Sequence, residues 1–98
     1  MISIEYSVDA IVDVENIFQT ILEDKPSVAG KYITKLEKFI DLLAFNKKMG
    51  VECKKRDISF DCRVVIFEQY KIFYQINLDE IYIVRIIHSK QSIQNRKF

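Results

Sequence analysis

Only two glycines, one proline, two cysteines and a single histidine occur among the 98 residues. So little glycine and proline leaves no room for a linker or a low-complexity tract, and a single domain over residues 1–98 is expected. A chain of this length buries roughly 60 to 70% of its unfolded surface, enough for one core. No apolar run reaches the roughly 20 residues of a membrane span. Met1 leads directly into a short strand pattern with no basic region and long apolar run behind it, so no signal peptide is expected. The expectation is a soluble, cytoplasmic protein that does not engage a membrane. Cys53 and Cys62 have neither a Cys-x-x-Cys pair nor a second histidine beside them, which argues against a zinc site or any other cofactor. In a reducing compartment both are expected as free thiols, Cys62 buried in a strand and Cys53 in a loop.

Charge is also missing by sign and region. The net charge is +1, yet residues 1–24 hold six acids (Glu5, Asp9, Asp13, Glu15, Glu23, Asp24) and no Lys or Arg, so they carry −6 and the remainder +7. After Glu80 there is no acid, while Arg85, Lys90, Arg96 and Lys97 are cationic. A second basic cluster stands at Lys54, Lys55 and Arg56. If the two basic clusters converge they can hold a polyanion; if not, they are solvated loops.

What is present is periodic. A strand is expected at residues 2–6 and a helix at 9–24, with Ile11, Val14, Phe18, Ile21 and Leu22 on its apolar face and Ser7 or Asp9 as cap. Lys25-Pro26 ends that helix, because a residue before proline avoids the helical region. Ser27 is expected to cap a second helix running to Asn46, whose Ala29, Tyr32, Ile33, Leu36, Phe39, Ile40 and Leu43 repeat the spacing. So short a connection makes the two an antiparallel hairpin. Residues 60–67 and 70–76 then read as strands around a tight Glu68-Gln69 turn, followed by a strand at 81–88. Alternation sets Cys62, Val64 and Ile66 against Arg63, Val65 and Phe67, and His88 with Tyr82, Val84 and Ile86 against Arg85 with Ile83 and Ile87. The last strand is apolar on both faces and suits the interior of the sheet. One face of the sheet is expected to pack on the helices and the other to leave a shallow groove.

This order, with Met49-Gly50 after the second helix, Arg63 seven residues before Tyr70-Lys71-Ile72-Phe73-Tyr74, and Val84-Arg85-Ile86-Ile87-His88 closing the last strand, resembles the RelE/ParE superfamily of bacterial toxins from toxin–antitoxin operons. The ParE branch is nearer, since Arg85-Ile86-Ile87-His88-Ser89-Lys90 stands where that branch typically has Arg-Val-Leu-His-Gly and a basic residue. Ser89 departs from the usual glycine, and Gln91-Ser92 from the usual basic and acidic pair. The resemblance implies an α+β fold of order β-α-α-β-β-β, a helical hairpin packed on a small, mostly antiparallel sheet. It further implies a type II toxin that arrests growth by inhibiting DNA gyrase and is neutralised by a cognate antitoxin, with which it can form a hetero-oligomer. The alternatives are a RelE-like endoribonuclease acting on ribosome-bound mRNA, and a degenerate member that only binds its partner.

The candidate residues follow from these readings. Arg63, in an apolar strand, must reach a carboxylate or a phosphate, and Asp61 is its nearest structural partner. His88 can act as a general acid or base, or tie the tail to the sheet by hydrogen bonds; in the ParE branch a histidine here occurs without nuclease chemistry. If the chain is an RNase, Arg63 and His88 are the catalytic candidates, with Glu52 and Lys54 in support. For binding to target or antitoxin the candidates are Lys54, Lys55, Arg56, Arg85, Lys90, Ile93, Arg96, Lys97 and Phe98, the last two apolar groups, Ile93 and Phe98, serving as anchors of the tail. No metal ligand is expected.

Overall fold

The computed structural model describes residues 2–53 and 61–90. Its elements are β1 (Ser3–Tyr6), α1 (Val8–Asp24), α2 (Ala29–Asp41), β2 (Val51–Glu52), β3 (Arg63–Phe67), β4 (Tyr70–Ile76) and β5 (Glu80–His88). The strands form one sheet in the order β1-β5-β4-β3-β2, in which β1 runs parallel to β5 and every other pair is antiparallel. The fold is therefore α+β, with the two helices packed on one face of the sheet. β5 lies inside the sheet, as its apolar character on both faces requires.

Ser7 joins the first strand to the first helix. Its hydroxyl accepts the Ala10 N–H at 2.9 Å, which caps α1, and donates to the Val84 carbonyl at 2.7 Å. α1 ends at Asp24, and Pro26 opens a 3-10 turn, Pro26–Val28, that feeds α2. Ser27 is not the cap expected of it: the residue before α2 is Val28, and no side chain caps the helix. A proline-led 3-10 turn already sets the chain direction there. α2 stops at Asp41, short of Asn46, and a second 3-10 turn, Leu42–Ala44, follows.

The core between helices and sheet contains Ala10, Ile17, Leu36, Ile40, Val65, Phe67, Ile72, Tyr74, Ile81, Ile83 and Ile86. Burial of each large aliphatic chain contributes about 1.5–3 kcal/mol over exposure. α1 presents Ala10, Val14, Ile17 and Ile21 to this core, whereas Ile11 and Leu22, expected on the same face, are exposed. The second sheet face is not the open groove expected: Cys53, Cys62, Val64, Phe73, Val84 and Ile87 form a cluster of their own, all less than a tenth exposed.

β5 departs from strict alternation. Phe73 pairs with Arg85 but Tyr74 pairs with Ile83, so Val84 is an extra residue opposite that step of β4. Such a bulge reverses the side-chain phase beyond it. Ile83 and Ile86 consequently share the helix-side core, while Val84 and Ile87 share the opposite cluster. The grouping of His88 and Ile86 with Val84 is overturned by that single residue.

Glu68-Gln69 forms the tight β3–β4 turn, with Glu68 in the left-handed region at φ 53°. Its carboxylate meets the Lys35 ammonium at 2.7 Å, and this hydrogen bond holds its pKa below the ordinary value.

Candidate functional site

Arg63 begins β3 and reaches back over β2. Its Nη1 donates to the Gly50 carbonyl at 2.6 Å, and its Nη2 lies 3.6 Å from a Glu52 carboxylate oxygen. The partner is thus Glu52, not Asp61. The β2–β3 pairing sets Glu52 directly opposite Arg63, and the Asp61 carbonyl instead accepts from the Gln75 amide. Gly50 is held from a second side, where the Tyr74 hydroxyl accepts the Gly50 N–H and donates to the Lys47 carbonyl, both at 2.8 Å. A Cβ at Gly50 would lie 2.7 Å from the Val64 carbonyl oxygen and 2.8 Å from the Tyr74 hydroxyl, so closeness of approach demands glycine here. Burial raises the Tyr74 pKa, against the lowering influence of the Gly50 hydrogen bond and Arg63.

His88 ends β5 at the opposite end of β4. Its ring meets Tyr70 edge-on, with centroids 5.5 Å apart, and its Nδ1 accepts the Lys90 N–H at 3.1 Å. Arg63 is paired with Tyr74 and His88 with Tyr70. Four residues along a strand are about 13 Å, and the two also sit on strands either side of β4. The structure does not bring these two residues within reach of one scissile bond, which acid–base chemistry needs.

Arg85 is committed to α1. Its guanidinium forms a two-bond ion pair with Asp13, Nε to Oδ2 at 2.8 Å and Nη2 to Oδ1 at 2.9 Å. That hydrogen bonding raises the arginine pKa further. Lys90 is exposed just past β5. Lys54, Lys55, Arg56, Ile93, Arg96, Lys97 and Phe98 lie outside the described residues.

The cysteines are not free thiols. Cys53 and Cys62 form a disulfide with Cα atoms 5.2 Å apart, and the Cys53 N–H donates to the Cys62 carbonyl at 2.8 Å. Cys53 is fully buried and directly follows β2, as Cys62 directly precedes β3. Among the described residues no group of three or more His, Cys, Asp or Glu side chains is gathered as a metal site. Nor, among them, is any helix long and apolar enough to cross a membrane.

A second surface was not anticipated. A cleft of ≈ 340 Å³ lies between β1 and the helices, walled by Ile4, Tyr6, Ile11 and Val14 with Glu5, Glu15 and Glu37 around it. The Tyr6 phenol is pushed up to about 12, first by burial and then by Glu37 and Asp41. The surplus of apolar residues on α1, beyond what one face can hold, was the signal for it.

Among curated proteins none matches the chain. Among solved structures, the chromosomal ParDE toxin–antitoxin system from P. aeruginosa superposes with a TM-score of 0.76 at 19% identity, covering 92% of this chain and 98% of that one. At that identity the likeness speaks for the fold. Residues 4–93 match the sequence model of the ParE toxin of type II toxin–antitoxin systems, parDE. With the strand order, the Gly50–Arg63–Tyr74 knot and the His88 strand end inside that span, the chain belongs to the ParE toxin family.

Proposed function

We propose that this ParE-family protein arrests growth by binding and inhibiting DNA gyrase, and that a cognate antitoxin encoded with it neutralises it in a toxin–antitoxin hetero-oligomer. The family match over residues 4–93 carries the reading. The internal engagement of Arg63 and His88, at opposite ends of β4, supports a binding toxin over a ribosome-dependent nuclease. The proposed contacts are the cations Lys54, Lys55, Arg56, Lys90, Arg96 and Lys97 with Ile93 and Phe98, which would act in the cytoplasm where gyrase works.

The experiment is a supercoiling assay with purified gyrase, run beside messenger RNA analysis after induction in cells. Inhibition of supercoiling by the toxin, relieved by the antitoxin, with messages left whole, is the expected result. Cleavage of ribosome-bound messages that disappears in His88→Ala would overturn it.

A further inference from the structure

β2 is the shortest of the described strands and lies at an edge of the sheet. Its ladder with β3 sets Val51 opposite Val64 and Glu52 opposite Arg63. At the start of β2 the Gly50 N–H bonds the Tyr74 hydroxyl, and the Gly50 carbonyl accepts from Arg63. At its end the Cys53–Cys62 disulfide closes the pair, beside the bond from the Cys53 N–H to the Cys62 carbonyl. So short a ladder holds an edge strand weakly. The disulfide is the clasp on its far end.

DNA gyrase works in the thiol-rich cytoplasm, where disulfides are usually transient and redox-sensing; on the function proposed above, this bond therefore meets small-molecule thiols. Exchange requires a thiolate to reach one of the two sulfurs. Cys53 is 0% exposed and Cys62 6%, so Cys62 is the one met first. Both belong to the apolar cluster with Val64, Phe73, Val84 and Ile87. Only the short edge need open to admit a reagent, and such edges open locally far more often than the whole molecule unfolds. Charge favours the same reagent: glutathione is a net anion at neutral pH, and Lys54, Lys55 and Arg56 follow Cys53 in the chain.

We propose that Cys62 is a site of thiol exchange with glutathione, and that the Cys53–Cys62 bond is a reversible clasp on β2 whose oxidised form grips the target. A glutathione thiolate attacks the Cys62 sulfur; the Cys53 sulfur leaves with the bonding electron pair and takes up a proton. A second glutathione thiolate attacks the glutathione sulfur of the mixed disulfide, forming glutathione disulfide and releasing the Cys62 thiolate, which is protonated in turn. Two glutathione thiols are oxidised as one protein disulfide is reduced, and the exchange runs backward when glutathione disulfide accumulates. The clasp also ties the ends of the segment that carries Lys54, Lys55 and Arg56, across a sequence separation of 9. Opening it returns chain freedom that target binding must remove again, so reduction weakens the toxin.

The purified oxidised protein is incubated in buffers of stepped ratios of reduced to oxidised glutathione, quenched with a thiol-blocking reagent and mapped by mass spectrometry. Two thiols should appear reversibly while the protein stays folded, with the mixed disulfide on Cys62 favoured about tenfold or more over Cys53. Hydrogen exchange at the Cys53 amide should quicken about tenfold on reduction while β4 and β5 stay protected. Supercoiling assays should need about tenfold more reduced than oxidised protein, and Cys53→Ser/Cys62→Ser should match the reduced form in every buffer. A bond that opens only when the whole protein unfolds, glutathione found equally on both cysteines, or unchanged exchange at Cys53 overturns the proposal, as does equal inhibition by both forms. If neither form inhibits gyrase, the proposed target fails instead, and the mapping and hydrogen exchange decide the clasp.

Discussion

The Asp13 carboxylate substitutes for a missing strand beside Arg85. β1 leaves β5 after Tyr6 pairs with Ile83, and from there the Asp13 Oδ2 that binds the Arg85 Nε also accepts the Ile86 N–H at 2.8 Å. One side chain of α1 thus satisfies both a mostly buried guanidinium and an open ladder position, 73 residues away in sequence.

Asp13→Ala should therefore cost about 3 kcal/mol, because it strands a charge and a backbone donor together. Asp13→Asn, which keeps an acceptor but loses the charge, should fall between it and the wild type. Urea unfolding midpoints measure both. A shift of under about 0.5 kcal/mol for Asp13→Ala would show that water replaces the carboxylate at no cost.

Gly50 and Tyr74 form the second testable joint. Tyr74→Phe removes the hydroxyl that joins the Lys47 carbonyl to the Gly50 N–H, and should lower stability by about 1–3 kcal/mol. Gly50→Ala should destabilise the protein as well, since its Cβ meets the Val64 carbonyl oxygen at 2.7 Å and backbone cannot yield as a side chain does. Combining the two should relieve the clash with the Tyr74 hydroxyl but not those with its ring carbon Cε1, at 2.9 Å, and with the Val64 carbonyl oxygen, so thermal melts of the double variant should stay below those of Tyr74→Phe.

Reduction of Cys53–Cys62 opens a loop of sequence separation 9, and should lower stability by about 2–3 kcal/mol in the chain-entropy account of cross-links. Melting with and without a dithiol reductant checks this. A Cys53→Ser/Cys62→Ser variant should melt near the reduced protein and ignore the reductant.

Alkali should unfold the protein earlier than carboxylate or lysine content alone suggests. Tyr6, Tyr32, Tyr70 and Tyr74 all titrate above the ordinary value of 10.0, in each case chiefly because burial penalises the phenolate. The native state holds these protons more tightly than the unfolded chain does. The stability they confer is complete below pH 10.0 and is lost as pH rises, for Tyr6 through about 12. Melting temperature followed upward from pH 8 to 12 should fall most steeply above about 10, and Tyr6→Phe should soften that fall.

Much of this architecture was legible from periodicity. The helical hairpin, the Glu68-Gln69 turn and residues 70–76 as a strand follow directly from apolar spacing, while residue type leaves the cap of α1 open between Ser7 and Asp9, and the structure selects Ser7. Periodicity could not choose between the two apolar stripes of α1, so Ile11 and Leu22 were assigned inward where Ala10 and Ile17 do the packing. In β5 nearly every residue is apolar, and such a pattern cannot register one inserted residue at Val84. β2, two residues long, is below the length at which alternation exists.

The missed strand explains the misread site. Without β2 there is no register to set Glu52 against Arg63 or Cys53 against Cys62, so Asp61 looked nearest to the arginine and the cysteines looked unrelated. Gly50 could be picked out by resemblance, yet its physical reason, the Tyr74 hydroxyl and Val64 carbonyl beside it, exists only once β2, β3 and β4 are assembled.

The parallel contact between the first and last strands also dictates when the protein can finish folding. Ser7 bonds Val84 across 77 positions, so a chain emerging from the ribosome has made nearly everything else before β5 exists to receive β1. Until then the helical hairpin lacks the strand that brings Ile81, Ile83 and Ile86 to its apolar face, a state open to chaperones and proteases. A ribosome-stalled chain ending before residue 80 should be protease-sensitive throughout, and one extended past β5 and clear of the exit tunnel should turn resistant in a single step. Partial synthesis would then yield no working fragment, and synthesis to the end of the sheet would yield the toxin abruptly.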